Sequence, residues 1–428
     1  MHSPATPRGA MSKVLYLTQD GITDHIGQAQ IAPYLIGLAR RGHDIHIVSA
    51  EKAGREELRA RFRGIFEEVA IKWTTVPYAN RPPLVSSFYT MALMYRAADA
   101  VAAAEKPDII HCRSYLPLEV ARQLKAKHGA KYLADFRDFW ADVGVETKRF
   151  KFVFRWFLKR EPIALGNADH VVTLTDRAAD LLIARHPHVA GGDRANYTVI
   201  PCCADFDLFD PARVPDEAGE RRRAELSIAK EATLLLYLGS IGADYLVREM
   251  MALFRELRAL RPDAVFLFLI NNGRDVVERE AAAAGVPLDA LRFTSSSRAD
   301  IPEYLRAADL SAVFIRATES KAGCSPTKLG ELFAMNVPII ANAGVGDMDE
   351  VIDLTRNGSA IVPDFEPATL RSALEQVLAV SDGRRRTIRE RSLDYSLDEG
   401  ISRYDRIYRS LAGDAEEQEH IVERRLAC

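Results

Sequence analysis

What this chain has little of narrows it first. Its five cysteines, Cys112, Cys202, Cys203, Cys324 and Cys428, form no CxxC pair and have no histidines at zinc-type spacing. Free thiols in a reducing compartment are therefore expected, not a disulfide framework. No apolar run approaches the length of a membrane-spanning helix. The formal net charge is only −3, too small to gather a polyelectrolyte such as nucleic acid. The GxGxxG fingerprint is missing after the first strand-like segment, which disfavours a nicotinamide dinucleotide. No DxD-like acidic cluster stands at an expected strand end. The nearest match, Asp347-Met348-Asp349, reads as a helix start with dipole-favouring acids, so neither metal nor other cofactor is expected. The first ten residues are polar and hold prolines, unlike a secretory leader. Residues 1–11 read as a disordered extension, with Met11 an alternative start, and 413–428 as a solvated tail.

What the chain does have is alternation. At 428 residues it exceeds one typical core and suits two domains. Lys13–Thr18 is a buried-strand pattern, followed by a loop, an amphipathic helix expected over Gln28–Arg40, and a second strand at Asp44–Ser49. This is a βαβ unit, and it predicts a doubly wound parallel sheet with ligands at the strand C-termini. Three features fall on that rim: Asp24, His25 and Gly27 in the first loop, His111 ending a strand at Pro107–Cys112, and Asp135, Arg137 and Asp138 ending Lys131–Phe136. Near residue 204 the pattern restarts, with a short helix expected over Arg221–Ile228. A strand at Thr233–Leu238 leads into Gly239 and Ser240, and further strand–helix pairs run to about 395. A second doubly wound domain is expected over 204–395, after a first over 12–203, with a last helix at 396–412.

Ser325–Glu350 carries the most chemistry. Ser325 is placed to cap a helix, and Pro326 suits its first position. That helix start would point backbone N–H groups outward, an end suited to phosphate. Lys328 and Glu331 lie one turn apart on the same face. A strand and a loop with Gly344 and Gly346 follow. The same pattern is also that of any well-capped helix–strand unit.

Lys148–Arg160 holds six cations and five aromatics in thirteen residues. Such a helix is a candidate for lying on an anionic membrane surface. The alternative is a packed surface helix with solvated cations.

Several ordered segments together resemble the GT-B glycosyltransferases of the family 4 group. They are Asp24–Ala39 with Arg41-Gly42-His43, Val199–Phe209 (VIPCCADFDLF), and Ala307–Leu310. After them come Ser325-Pro326-x-Lys328-x-x-Glu331, Pro338–Ala341 and Gly346–Val351, and then Tyr404–Leu411. The resemblance implies two Rossmann-like domains facing across a cleft, with the last helix crossing back to the first. It implies transfer of a sugar from a nucleotide diphospho-sugar to a glycan or lipid-linked acceptor, with retention and without a metal. The donor diphosphate would sit at Ser325, Pro326, Thr327 and Lys328, with Gly239, Ser240, Gly344 and Gly346 close by. Glu331 would take the ribose hydroxyls, and Arg316, Lys321 and Lys328 would supply cations. His111, Asp135 and Arg137 would be first-domain catalytic residues, with Asp24, His25 and Gly27 on the acceptor side. The chain departs from the commonest pattern at Gly323, where many members carry glutamate. It departs again at Gly239–Tyr245 (GSIGADY), where arginine and lysine are common, and at Asp135–Asp138, where many have histidine. Members that assemble surface polysaccharides look similar at these positions, which implies work at the inner face of the cytoplasmic membrane. A GT-B epimerase and a non-catalytic nucleotide-sugar-binding partner are the alternatives.

Overall fold

The computed structural model describes residues 12–79, 81, 85–147, 151–187, 193–380 and 382–413. The extension 1–11, the acidic tail from 414, and residues 148–150 of the basic, aromatic segment lie outside them. The chain divides into two compact units. One runs up to Ile200 and resumes at Asp398; the other is Pro201–Leu397.

Among the described residues thirteen strands are formed: β1 (Lys13–Thr18), β2 (Asp44–Glu51), β3 (Lys72–Pro77), β4 (Ile109–Arg113), β5 (Lys131–Phe136), β6 (His170–Thr173), β7 (Tyr197–Val199), β8 (Leu234–Leu238), β9 (Val265–Leu269), β10 (Leu291–Thr294), β11 (Leu310–Val313), β12 (Ile339–Asn342) and β13 (Ala360–Val362). The helices that matter below are α1 (His25–Gln30), α2 (Ala32–Arg40), α3 (Val85–Glu105), α4 (Lys151–Gly166), α5 (Thr327–Ala334) and α6 (Leu397–Ala412). The first unit holds a seven-stranded sheet in the order β3-β2-β1-β4-β5-β6-β7, the second a six-stranded sheet in the order β10-β9-β8-β11-β12-β13. Every ladder is parallel. The order reverses direction between β1 and β4 and between β8 and β11, and such switch points open a crevice beyond the strand C-termini.

The β8 sequence explains its central place. Leu234, Leu236 and Leu238 pack on one face of the second sheet, and Leu235 and Tyr237 on the other. A strand buried on both faces has no polar side to spare, so it reads as a continuous apolar run. Phe266 and Phe268 on β9 and Phe314 after β11 fill the same second face.

Three expected elements are corrected. The helix over Gln28–Arg40 is two helices, broken at Ile31 with φ −125° and ψ −64°. Pro33, in the first turn of α2, has no N–H to continue the preceding turn. The helix expected over Arg221–Ile228 lies at Asp216–Glu225. Its two leading acids suit the positive end, and Ser227 stops the segment at φ +54°. The basic, aromatic helix continues past Arg160 to Gly166 as α4, with Pro162 inside it. The two chain crossings run side by side, Ala204 bridging Ser396 in parallel.

Candidate functional site

The second unit's switch point is built around one amine. Lys328 is only 6 % exposed, yet among the described residues its Nζ has no hydrogen-bond acceptor. The amine lies over the rings of Tyr237 and Tyr245, 4.5 and 4.4 Å from their centroids. It also lies directly under the turn that ends β8. A Cβ added to Gly239 would stand 3.0 Å from Nζ and press on the amine, and at φ +132° a side chain there would also strain the backbone. Burial pulls the Lys328 amine down to about 8, with Cys324 and Glu331 opposing the shift. The ring faces and the nearby carboxylate therefore only partly replace water around the charge.

The helix start beside this amine differs from the expected one. Ser325 does not cap it. Its Oγ accepts the Cys202 N–H at 3.2 Å, which fastens the crossing segment instead. Pro326 occupies the cap position, not the first helical position; it has no polar side-chain atom to cap α5, and its carbonyl takes the Leu329 N–H at 3.0 Å. Thr327 opens the helix and is exposed. An uncapped helix start and an unpaired buried ammonium thus belong to the same turn, and both favour an anion.

Glu331, one turn on, is 8 % exposed. Its Oε1 faces Arg298 Nη1 at 3.4 Å. Burial pushes its carboxyl up, while Arg298 and Lys328 pull it back. The other proposed cations are committed elsewhere. Lys321 pairs with Asp244 at 2.8 Å, and the exposed Arg316 side chain donates to the Ala243 carbonyl at 3.3 Å. Ser240 is exposed, and its carbonyl takes the Tyr237 hydroxyl at 2.6 Å. The Gly344 N–H donates to Asp349 Oδ2 and the Gly346 N–H to the Lys321 carbonyl. The glycine loop therefore shapes the crevice wall with its N–H groups already used.

In the first unit His111, Asp135 and Arg137 come together, but in the interior and not on a rim. They are 2 %, 0 % and 7 % exposed. Asp135 accepts the Tyr404 hydroxyl at 2.9 Å and lies 3.4 Å from Arg113 and 3.3 Å from Arg137. His111 Nδ1 is 2.7 Å from the Tyr408 hydroxyl. Burial pushes the Asp135 carboxyl up, but Arg137, the His111 hydrogen bond and Arg113 outweigh it and hold it well below the usual range. Burial drives His111 down, which keeps the imidazole neutral. The cluster therefore clamps α6, which carries both tyrosines, to the ends of β4 and β5.

The first-unit loop is held by a residue that sequence reasoning missed. Glu51, at the end of β2, accepts the N–H groups of Ile22 and Thr23 at 2.6 and 3.3 Å and the Thr23 hydroxyl at 2.6 Å. Beyond this clamp Asp24 pairs with Lys52 at 2.8 Å, and His25 stands exposed. Gly27 is required because a Cβ would meet the Gly21 carbonyl at 2.0 Å. Ser114, after β4 at the switch point, adopts φ +69° and ψ +176°, a region other residues leave to glycine. Arg298, Tyr237 and Tyr245 were also missed. Tyr237 read as one more apolar strand position, and Arg298 sits in a polar stretch with no motif. Among the described residues no cluster of histidine, cysteine, aspartate and glutamate could hold a metal.

With this geometry in view, comparison with known proteins is decisive about class. Residues 28–203 match the glycosyl transferase 4-like domain. Residues 232–380 match glycosyl transferases group 1. The chain belongs to the GT-B glycosyltransferases of the family 4 type, and it is a glycosyltransferase. Solved structures share the fold at low identity. A glycosyltransferase from Rickettsia africae is 15 % identical with a TM-score of 0.69, over 94 % of this chain and 99 % of that one. Anabaena Alr3699/HepE, solved in complex with UDP and glucose, is 14 % identical with a TM-score of 0.65, over 94 % and 100 %. Sucrose-phosphate synthase from Thermosynechococcus elongatus is 17 % identical with a TM-score of 0.69, over 94 % and 99 %. No curated protein sequence matches the chain.

Proposed function

We propose that this enzyme moves a sugar from a nucleotide diphospho-sugar to a hydroxyl of a glycan or lipid-linked acceptor, retaining the anomeric configuration and using no metal. The observation that carries this reading is the buried Lys328 amine. It is a cation without an acceptor, under the Gly239 turn and beside an uncapped helix start. Breaking the bond between the anomeric carbon and the diphosphate leaves negative charge on the departing oxygen. A pre-placed ammonium and helix N–H groups stabilise that charge as it forms. In this reading Glu331 accepts the ribose hydroxyls, since an ionised carboxylate only accepts. His111, Asp135 and Arg137 are positioning residues in this reading, holding α6 and the strand ends without touching substrate. The UDP and glucose bound by Alr3699/HepE support a nucleotide-sugar donor. The acceptor and the inner face of the cytoplasmic membrane rest on the likeness to polysaccharide-assembling members.

The test is a panel of nucleotide diphospho-sugars incubated with and without polyprenyl-linked glycans, in the presence of a chelator. Released nucleotide and the product's anomeric coupling constant are read together. Transfer with retention and undiminished by chelation is expected. Tight binding without turnover on any acceptor, inverted product, or loss on chelation would each remove the corresponding part of the reading.

A further inference from the structure

The described part of the basic, aromatic segment, α4, has two faces. On α4, Val153, Phe154 and Phe157 face inward. Phe154 fills the space a Cβ on Gly144 would take, and Phe157 lies against Tyr115 and Trp140. Glu161, the acid of this helix, is buried and accepts the Tyr115 hydroxyl at 2.9 Å. The opposite face is different. At about 100° per residue, Phe152, Trp156 and Ile163 fall within roughly 40° of one another, and Lys151, Arg155 and Lys159 follow along one flank. Phe152 is 68 % exposed, and Trp156 and Ile163 are both more than 40 % exposed.

The strip does not stop at α4. Val85, Phe88 and Tyr89, in the first two turns of α3, are exposed, and the Phe88 ring lies 5.8 Å from Trp156. Among the described residues, six of the nine exposed large apolar side chains are on these two helices. Arg160 is paired with Glu119 at 2.7 Å. Lys151, Arg155 and Lys159 have no ion pair among the described residues.

We propose that this two-helix face is a docking surface for an anionic phospholipid bilayer. Three cations along an apolar strip, with no acid among them, match a negative surface. Tryptophan and tyrosine suit the boundary between headgroups and acyl chains. The strip runs along one exposed side of a helix, the geometry of an interfacial helix. A second copy is a poorer occupant, because a two-fold contact would set the same unpaired cations against themselves. The proposal goes beyond the donor chemistry and concerns the first unit alone.

The experiment uses the full chain and flotation with two vesicle types: phosphatidylcholine alone, and the same with a third of the lipid as phosphatidylglycerol. Binding to the anionic vesicles is expected to be at least about tenfold stronger and to weaken as salt rises. Lys151→Gln/Arg155→Gln/Lys159→Gln should lose that preference. Phe88→Ser/Trp156→Ser should lose binding to both vesicle types. UDP affinity, measured on every variant, should stay at the wild-type value, which keeps folding and the donor reading separate from this one. Absent binding, equal binding to both vesicles, or variants that float like wild type overturn the proposal. So does a concentration-dependent dimer in sedimentation that these substitutions abolish, or capture of an acidic protein by the same face without vesicle binding.

Discussion

At the scale of single residues, Lys328 is the most informative. The shift of its amine from the usual 10.5 to about 8 corresponds to on the order of 3 kcal/mol held against the charged form. Lys328→Met should therefore raise the unfolding midpoint of the ligand-free protein while lowering affinity for UDP about 10- to 150-fold, the worth of a charge-assisted hydrogen bond. Opposite signs in denaturation and calorimetry are the signature of a residue poised for a ligand. A lower midpoint would make it a packing residue. The pH dependence has a definite direction. The folded value lies below the unfolded one, so between about 8 and 10.5 the unfolded chain binds more protons and stability rises with pH. UDP affinity should move the other way, falling above pH 8 as the amine loses its proton, and Lys328→Met should flatten the curve. Glu331→Ala should weaken UDP by about 1.5–3 kcal/mol and dUDP by less; equal losses would reassign the carboxylate. The spacing Lys328-x-x-Glu331 was readable in the sequence. That Arg316 and Lys321 are tied to their own loop was not, because their partners Ala243 and Asp244 lie more than seventy positions away.

At the scale of elements, α6 shows how a buried polar cluster fixes a helix. Tyr404 and Tyr408 reach Asp135 and His111, and His43 reaches Asp405 at 2.8 Å. Tyr404→Phe should cost about 1.5–3 kcal/mol in urea unfolding, since it removes a donor to a charged acceptor. Asp135→Asn should cost about 3–5 kcal/mol, because Arg113 and Arg137 lose their buried counter-charge. The Asp135 carboxyl is depressed, so its stabilisation is present above the usual 3.8 and is lost as pH falls. The lowered His111 adds a loss of the same sign below 6.5. Wild type should thus be acid-sensitive, and Asp135→Asn less so. Element existence was legible from apolar runs and amphipathic spacing. Element ends were not: Ser325 looked like a cap, but the crossing segment had a stronger claim on its hydroxyl.

At the scale of the molecule, the two units differ in how the chain builds them. The second is one continuous stretch with apolar clusters on both faces of its own sheet. Expressed alone, 201–397 should unfold cooperatively and bind UDP within about tenfold of the whole chain, since Lys328, Glu331 and Gly239 are all its own. The first unit is discontinuous and closes only when the residues from Asp398 return. A 12–200 fragment lacks the Tyr404 and Tyr408 hydroxyls that bond Asp135 and His111, and should show a much lower unfolding midpoint than the same stretch in the intact chain. Calorimetry of the two fragments beside the full chain checks both.

The sequence by itself determined the class: two alternating αβ halves, a crossing segment within Val199–Phe209, and the Lys328–Glu331 turn. Those signals are local, and apolar period, proline and glycine express themselves within a few positions. Tertiary structure decided which of the polar residues are available. It closed Asp135, His111 and Arg137 into the interior, tied Arg316 and Lys321 to their own loop, and left the buried Lys328 ammonium without a hydrogen-bond acceptor among the described residues. Availability depends on which distant groups arrive at hydrogen-bonding distance, and that is set by the packing of strands and helices far apart in the chain.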